Sequence, residues 1–154
     1  MSDIEYMHSA LELSECARSS GEVPVGAIIV RDGVIIGEGY NSPIARHDPS
    51  AHAEILAMRA AATKLGNYRL IGCELFVTLE PCLMCAGAIM HARIARLVFG
   101  ASDPKTGACG SVLNAFDLQQ LNHHTQVLGG VLAADCGAAL SDFFAARRAE
   151  RKTS

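Results

Sequence analysis

Two short stretches constrain this chain more than any others, Ala51-His52-Ala53-Glu54 and Glu80-Pro81-Cys82-Leu83-Met84-Cys85. Whatever fold forms has to bring one imidazole and two thiols together and leave one carboxylate beside them. His52, Cys82 and Cys85 are donors of the types zinc takes, and three ligands leave the fourth tetrahedral position open for a water. A structural zinc would close that position with a fourth protein ligand. Glu54 is then left over to move the water's protons, so the pattern reads as a catalytic metal centre.

The chain has 154 residues, half of them hydrophobic (50%) and 19% charged, which suits one globular domain over residues 1–154 with an ample core. Residues 1–20 carry Asp3, Glu5, Glu12, Glu15 and Arg18, with Ile4, Met7, Ala10 and Leu11 at helical spacing. That is an amphipathic helix rather than a signal peptide. No uninterrupted apolar run is long enough for a bilayer, and the six cysteines form no disulfide-scaffold pattern, so the expected compartment is the cytoplasm, with no membrane partner. A formal charge of −3 excludes a globally basic nucleic-acid binder. Any such contact has to come from a local patch, and Arg147, Arg148, Arg151 and Lys152 after Phe143 and Phe144 supply one, unless they are only a solvated helix face.

The pattern predicts strands at 25–30 and 34–36, joined by an Asp32-Gly33 hairpin turn. Asp48-Pro49-Ser50 then offers a cap and a first-turn proline for a helix over 51–65, with Ile55, Met58 and Ala62 on its apolar stripe. A strand at 73–79, a helix at 84–92, a strand at 95–99 and a loop at 100–110 follow. A weaker strand at 125–128 and a long helix at 135–151, with Leu140, Phe143 and Phe144 inward, complete the chain. A hairpin followed by alternating helices and strands indicates an α/β protein with a mixed sheet covered on both faces.

Cysteines three apart at a helix start project from the same side of the first turn, so one metal can take both. Free amides and the positive helix end favour thiolates there. Helix geometry does not make His52 and Glu54 converge, because residues two apart face different ways. Taken singly, the C-x-x-C could be a redox pair, half of a structural site or two core cysteines. The conjunction of H-x-E with P-C-x-x-C, in that order, is the signature of zinc-dependent nucleobase deaminases.

At these residues the chain resembles the cytidine deaminase-like superfamily and, within it, the bacterial tRNA-specific adenosine deaminases. The similarity includes Glu22-Val23-Pro24-Val25-Gly26-Ala27, Gly39-Tyr40-Asn41, the segment from His47 to Glu54, Thr78-Leu79-Glu80 with the cysteine motif, Phe99 to Gly107, and Leu140-Ser141-Asp142-Phe143-Phe144. The resemblance implies a three-layer α/β/α sandwich with a five-stranded mixed sheet, a homodimer, and one zinc ion per subunit. It also implies hydrolytic deamination of adenosine to inosine at the first anticodon position of tRNA. In that scheme a zinc-activated hydroxide attacks carbon 6 and Glu54 carries protons to the ring and the leaving amine.

The same resemblance gives Asn41 a hydrogen bond to the base, Val23 a place in its pocket wall, and Asp103 a ribose hydroxyl of the neighbouring nucleotide. Arg46, Lys105, Phe143, Arg147 and Arg148 would hold the anticodon stem-loop by phosphate contacts and stacking. On their own residues these read more simply as a turn asparagine, a core valine and a loop cap. Residues 111–125 match only loosely beyond Asn122-His123. His123 and His124 are expected to be solvated or hydrogen-bonded rather than a second metal site, and Cys16, Cys73, Cys109 and Cys136 to be small buried residues. The nearest rival is a deaminase of free guanine, cytosine or a nucleoside on the same fold. A non-catalytic zinc subunit that binds RNA is the more distant one, and Glu54 argues against it, since a scaffold needs no proton shuttle.

Overall fold

Alternating strand side chains decide this architecture. In β1 (Gly26–Arg31), β3 (Cys73–Leu79) and β4 (Arg96–Ala101), the side chains pointing both ways are buried, so helices must cover both faces. Ala27, Ile29, Leu75, Val77, Leu97 and Phe99 pack against α3 (Ala53–Leu65) and α4 (Leu83–His91). Ile28, Val30, Phe76 and Val98 face the other way, toward α1 (Asp3–Ser19) and α5 (Ala133–Thr153). The result, in a computed structural model that describes residues 1–121 and 123–153, is a three-layer α/β/α sandwich. Asn122, part of the family resemblance, lies outside the described residues.

The sheet has five strands in the order β2-β1-β3-β4-β5, with β2 at Val34–Tyr40 and β5 at Gln126–Gly129. β1 runs antiparallel to both β2 and β3, whereas β3, β4 and β5 are parallel, so the sheet is mixed as expected. Asp32 and Gly33 both have positive φ, the two-residue turn that matches the twist of a hairpin.

Three details differ from the sequence expectation. The buried stripe of α1 is Met7, Ala10, Ser14 and Ala17, and traced back at helical spacing it lands on Asp3 rather than Ile4. Asp3 pairs there with Arg96, at 2.6 Å, and Ile4 is exposed. The inward face of α3 is Ala53, Ala57, Met58 and Ala61, while Ile55 and Ala62 are only half-buried. Midway along α5, Phe143 turns inward and Phe144 is 44% exposed.

The alanine face of α3 has a partner in β2, which runs on through Gly37 and Gly39 to Tyr40 instead of stopping at Ile36. A methyl group on Gly39 would lie 2.5 Å from the Ala53 carbonyl oxygen and 2.6 Å from the Ala57 amide nitrogen. The two glycines thus let α3 lie directly on the sheet from Ala53 to Ala61. A short helix α2 (Pro43–Arg46) and a 3-10 turn at Ala115–Asp117 are additions that periodicity did not reveal.

Among the described residues no helix is long and apolar enough to cross a membrane. All six cysteines are free; Cys73, Cys109 and Cys136 are buried as expected, but Cys16 is exposed. His123 donates from Nε2 to the Ile94 carbonyl at 2.7 Å.

Candidate active site

Two helices begin at the same end of the sheet, beyond the last residues of β2 and β3, and their starts carry the chemistry. α3 begins at Ala53, two residues later than Pro49 suggested, and α4 begins at Leu83. His52 and Cys82 are therefore the residues just outside each helix, both with extended backbones (φ −72°, ψ 154° and φ −78°, ψ 176°). This resolves the spacing problem of His52 and Glu54. His52 stands outside the helical rotation, so it reaches the centre that Glu54, in the first turn, also faces. Cys85 sits in the first turn of α4 and is buried.

His52 Nδ1 lies 3.6 Å from Cys82 Sγ and 3.5 Å from Cys85 Sγ. All three donor atoms are within 4.8 Å of one another, the only such group among the described residues. Zinc at about 2.1 Å from nitrogen and about 2.3 Å from sulfur, in tetrahedral geometry, needs nitrogen and sulfur about 3.6 Å apart. The donor set and its spacing fit zinc. The hydrogen bond from Cys85 and that from His52 bring the Cys82 thiol down to about 4 against the effect of burial. Cys82 in turn pushes His52 up, and the same hydrogen bond with burial pushes Cys85 up. The amino ends of α3 and α4 favour thiolate charge at this pair.

Glu54 is 4% exposed. Burial pushes its carboxyl above the ordinary carboxylate range, opposed by its own backbone amide and by His52. A cavity of about 200 Å³ opens over it, lined by Val23, Asn41, His52, Cys82, Asp103 and Thr106 among others. Val23 and Asn41 also border a groove of about 480 Å³ that holds Phe143, Phe144, Arg147 and Arg148. The cavity and the basic groove therefore meet. A larger hollow of about 870 Å³ between the end of α1 and α5 lies away from the donor cluster and mixes Glu15, Asp142 and arginines.

The remaining sequence candidates fall into distinct positions. Asp103 accepts from the Lys105 and Thr106 amides at 3.0 and 3.2 Å and from the Thr106 hydroxyl at 2.8 Å. Its carboxylate caps its own loop and still faces the cavity. Arg147 donates to the Gly21 carbonyl, and its guanidinium lies 4.9 Å over the ring of Phe143, which is 8% exposed. Arg148, Arg46 and Lys105 are exposed, and the last two line neither the cavity nor the groove.

Sequence reasoning assigned no role to Glu22, Thr106 or Glu80. Glu22 is buried and accepts from the Ile44 and Ala45 amides at 3.1 and 2.8 Å, holding α2 beside Asn41. A signal was present for Glu80, an acidic residue at the end of the apolar run 75–79, but not for Glu22, which follows Ser19-Ser20-Gly21.

A sandwich of this topology with a His/Cys/Cys cluster at paired helix starts and a buried glutamate above it is the arrangement of a zinc-binding deaminase. The sequence model of the cytidine and deoxycytidylate deaminase zinc-binding region matches residues 1–101, and the chain belongs to that family. It is 56% identical over 151 residues to the tRNA-specific adenosine deaminase of Haemophilus influenzae, covering 97% of this chain and 87% of that one. A solved structure from a study of A-to-I editing by tRNA:A34 deaminases at the wobble position superposes with a TM-score of 0.86 at 42% identity, covering 88% of this chain and 99% of the other. The guanine deaminase of Nitrosomonas europaea has the same fold, with a TM-score of 0.81 at 26% identity over 92% of this chain and 84% of that one.

Proposed function

We propose that this chain hydrolytically deaminates adenosine to inosine at the first anticodon position of tRNA. The observation that carries the reading is the buried Glu54 beside the His52, Cys82 and Cys85 cluster, in a cavity continuous with the groove of Arg147 and Arg148. The likeness to tRNA-specific adenosine deaminases over 97% of the chain supports the substrate. The fold alone does not choose it, because a guanine deaminase has the same sandwich.

His52 through Nδ1, Cys82 and Cys85 would hold one zinc ion per subunit. Bound there, zinc supplies Lewis-acid activation of a water. Glu54 takes a proton from the attacking water and delivers it to the adenine ring nitrogen. It then carries the second proton to the departing amine. The water oxygen bonds to carbon 6, the carbon–nitrogen bond breaks, ammonia leaves and inosine remains. Burial raises the Glu54 carboxyl above the ordinary carboxylate range, the direction that favours its taking up the water's proton.

Asn41 hydrogen-bonds the base and Val23 walls its pocket. Asp103 accepts from a ribose hydroxyl of the neighbouring nucleotide with the lone pairs its own loop leaves over. Arg46, Lys105, Arg147 and Arg148 meet phosphates of the anticodon stem-loop. Phe143 supports Arg147 from below. Residues 1–154 act as a single domain, in a homodimer, in the cytoplasm where tRNA is processed.

The test of the substrate is a side-by-side assay of ammonia release from a tRNA with adenosine at the first anticodon position and from free guanine, cytosine and adenosine. The reading predicts release from the tRNA alone. Release from free guanine or cytosine with none from tRNA would move the same chemistry to a small-molecule substrate.

A further inference from the structure

Glu80 lies two residues before Cys82 and is 2% exposed, yet among the described residues no cation pairs with it. A buried carboxylate without a counter-charge has to be met by hydrogen bonds. It is met from both limbs of one loop. The Asp103 amide donates to Oε1 at 3.0 Å, while the Cys109 and Ser111 amides donate to Oε2 at 2.9 and 3.1 Å, and the Ser111 hydroxyl closes on Oε1. The Glu80 amide adds a bond of 2.8 Å to the Ala101 carbonyl, and the neighbouring Pro81 carbonyl accepts from Ala108 at 2.8 Å. Gly107 lies so close that a methyl group on it would overlap the carboxylate.

From this geometry we infer that Glu80 is a positioning residue for substrate recognition: its carboxylate clamps the loop from Asp103 to Ser111 so that Asp103 and Thr106 face the cavity. The inference rests on the reading of that cavity as the nucleotide site. Asp103 is fixed twice, by its own amide on Glu80 and by the turn its side chain closes with Lys105 and Thr106. Without the clamp the turn survives but loses its side-chain anchor to the end of β3, leaving only the backbone bonds at Ala101 and Ala108. The side chains of His52, Cys82, Cys85 and Glu54 stand at the starts of α3 and α4, and the donor cluster closes among His52, Cys82 and Cys85 themselves, with the Ala108–Pro81 bond beside Cys82 left in place when the Glu80 carboxylate is changed. Glu80 thus separates recognition of the flanking nucleotide from the chemical step.

The carboxylate is needed for a specific reason. Both of its oxygens accept, one from each limb of the loop or its hydroxyl. Glutamine has the same shape but one accepting oxygen, and its NH₂ group would meet an N–H donor on one side. Glu80→Gln therefore releases one limb while preserving volume.

The experiment uses the zinc-loaded full chain and an anticodon stem-loop RNA with adenosine at the first anticodon position. Glu80→Gln should keep full zinc content and lose about 10- to 100-fold in kcat/KM, mostly as a raised KM, because displacing a positioning loop by about an ångström has that effect. Adding Asp103→Asn to Glu80→Gln should cost far less than Asp103→Asn costs in the parent, since Asp103 is already misplaced. An unchanged kcat/KM, zinc loss in step with activity, or two fully multiplicative losses would each overturn the assignment. Where Glu80→Gln fails to fold, Ser111→Ala removes a single donor and should raise KM several-fold with zinc and kcat retained; an unaltered KM overturns the inference. An inactive parent chain would instead count against the tRNA reading itself, so the two failures are distinguishable.

Discussion

His52 Nδ1 and Cys85 Sγ stand 3.5 Å apart although 33 positions separate them in sequence. The distance is set by two helices that start at one end of the sheet, after β2 and β3. Cys85→Ala should therefore empty the site of zinc, and Cys82→Ala should do the same, while the fold persists through the apolar core. Metal analysis of the purified variants, with circular dichroism beside it, checks this. Retained stoichiometric zinc in either variant would remove that cysteine from the ligand set.

Glu54 touches the same centre without being one of its three donors. Glu54→Ala is expected to bind zinc normally and to lose about 100- to 10,000-fold in turnover, the usual range for a general acid–base group. Substitution by glutamine should lose nearly as much, because an amide cannot carry the proton. The readout is single-turnover rate against zinc content.

Gly39 is where the fold bears on the chemistry. Gly39→Ala drives a methyl group into the Ala53 carbonyl and the Ala57 amide, one residue from Glu54. It should cost about 1–3 kcal/mol, the usual penalty of overpacking, and lower activity as the start of α3 moves. Thermal melts with activity at a temperature where the variant is folded separate the two effects.

Arg147 and Arg148 are adjacent cations with different tasks. Arg147 is tied to Gly21 and Phe143, so Arg147→Ala should lower stability by about 1 kcal/mol as well as weaken RNA binding. Arg148→Ala should leave the melting temperature unchanged and reduce the slope of log affinity against log salt by about 0.7, one phosphate on a single strand. Titrations at several salt concentrations measure that slope.

Asp3 gives the pH dependence of stability. The hydrogen bond from Arg96 holds its carboxyl below the ordinary aspartate range, against partial burial. The folded state therefore binds fewer protons than the unfolded chain, and the pair contributes above about pH 4 and is lost as pH falls through the folded value. Both side chains are about a third exposed, at 29% for Arg96 and 34% for Asp3, which keeps the contribution below about 1 kcal/mol. The gap in melting temperature between the parent and Asp3→Asn should be present at pH 7 and shrink toward pH 3.

Much of this was legible because it is local. β3 follows its apolar run over Cys73–Leu79, and the Asp32-Gly33 turn declares its hairpin. The donor types at 52, 82 and 85 name their metal by chemistry alone. What sequence reading missed depends on partners far along the chain. Ile4 looked like the first residue of a stripe until Asp3 found Arg96, 93 positions away. Gly37 and Gly39 looked like the end of a strand because α3, which needs them small, is not visible in the strand's own pattern. Glu22 and Glu80 read as ordinary acidic residues because the amides they gather, at 44–45 and at 103–111, come from loops without periodicity.

The most direct test of the account is inosine at the first anticodon position of a tRNA transcript, read by mass spectrometry after incubation with the zinc-loaded chain and, in parallel, with Glu54→Ala. Stoichiometric conversion by the parent, at a rate about 100- to 10,000-fold above that of the variant, is the predicted result. Conversion by both at equal rates, or by neither while the parent holds zinc, would contradict it.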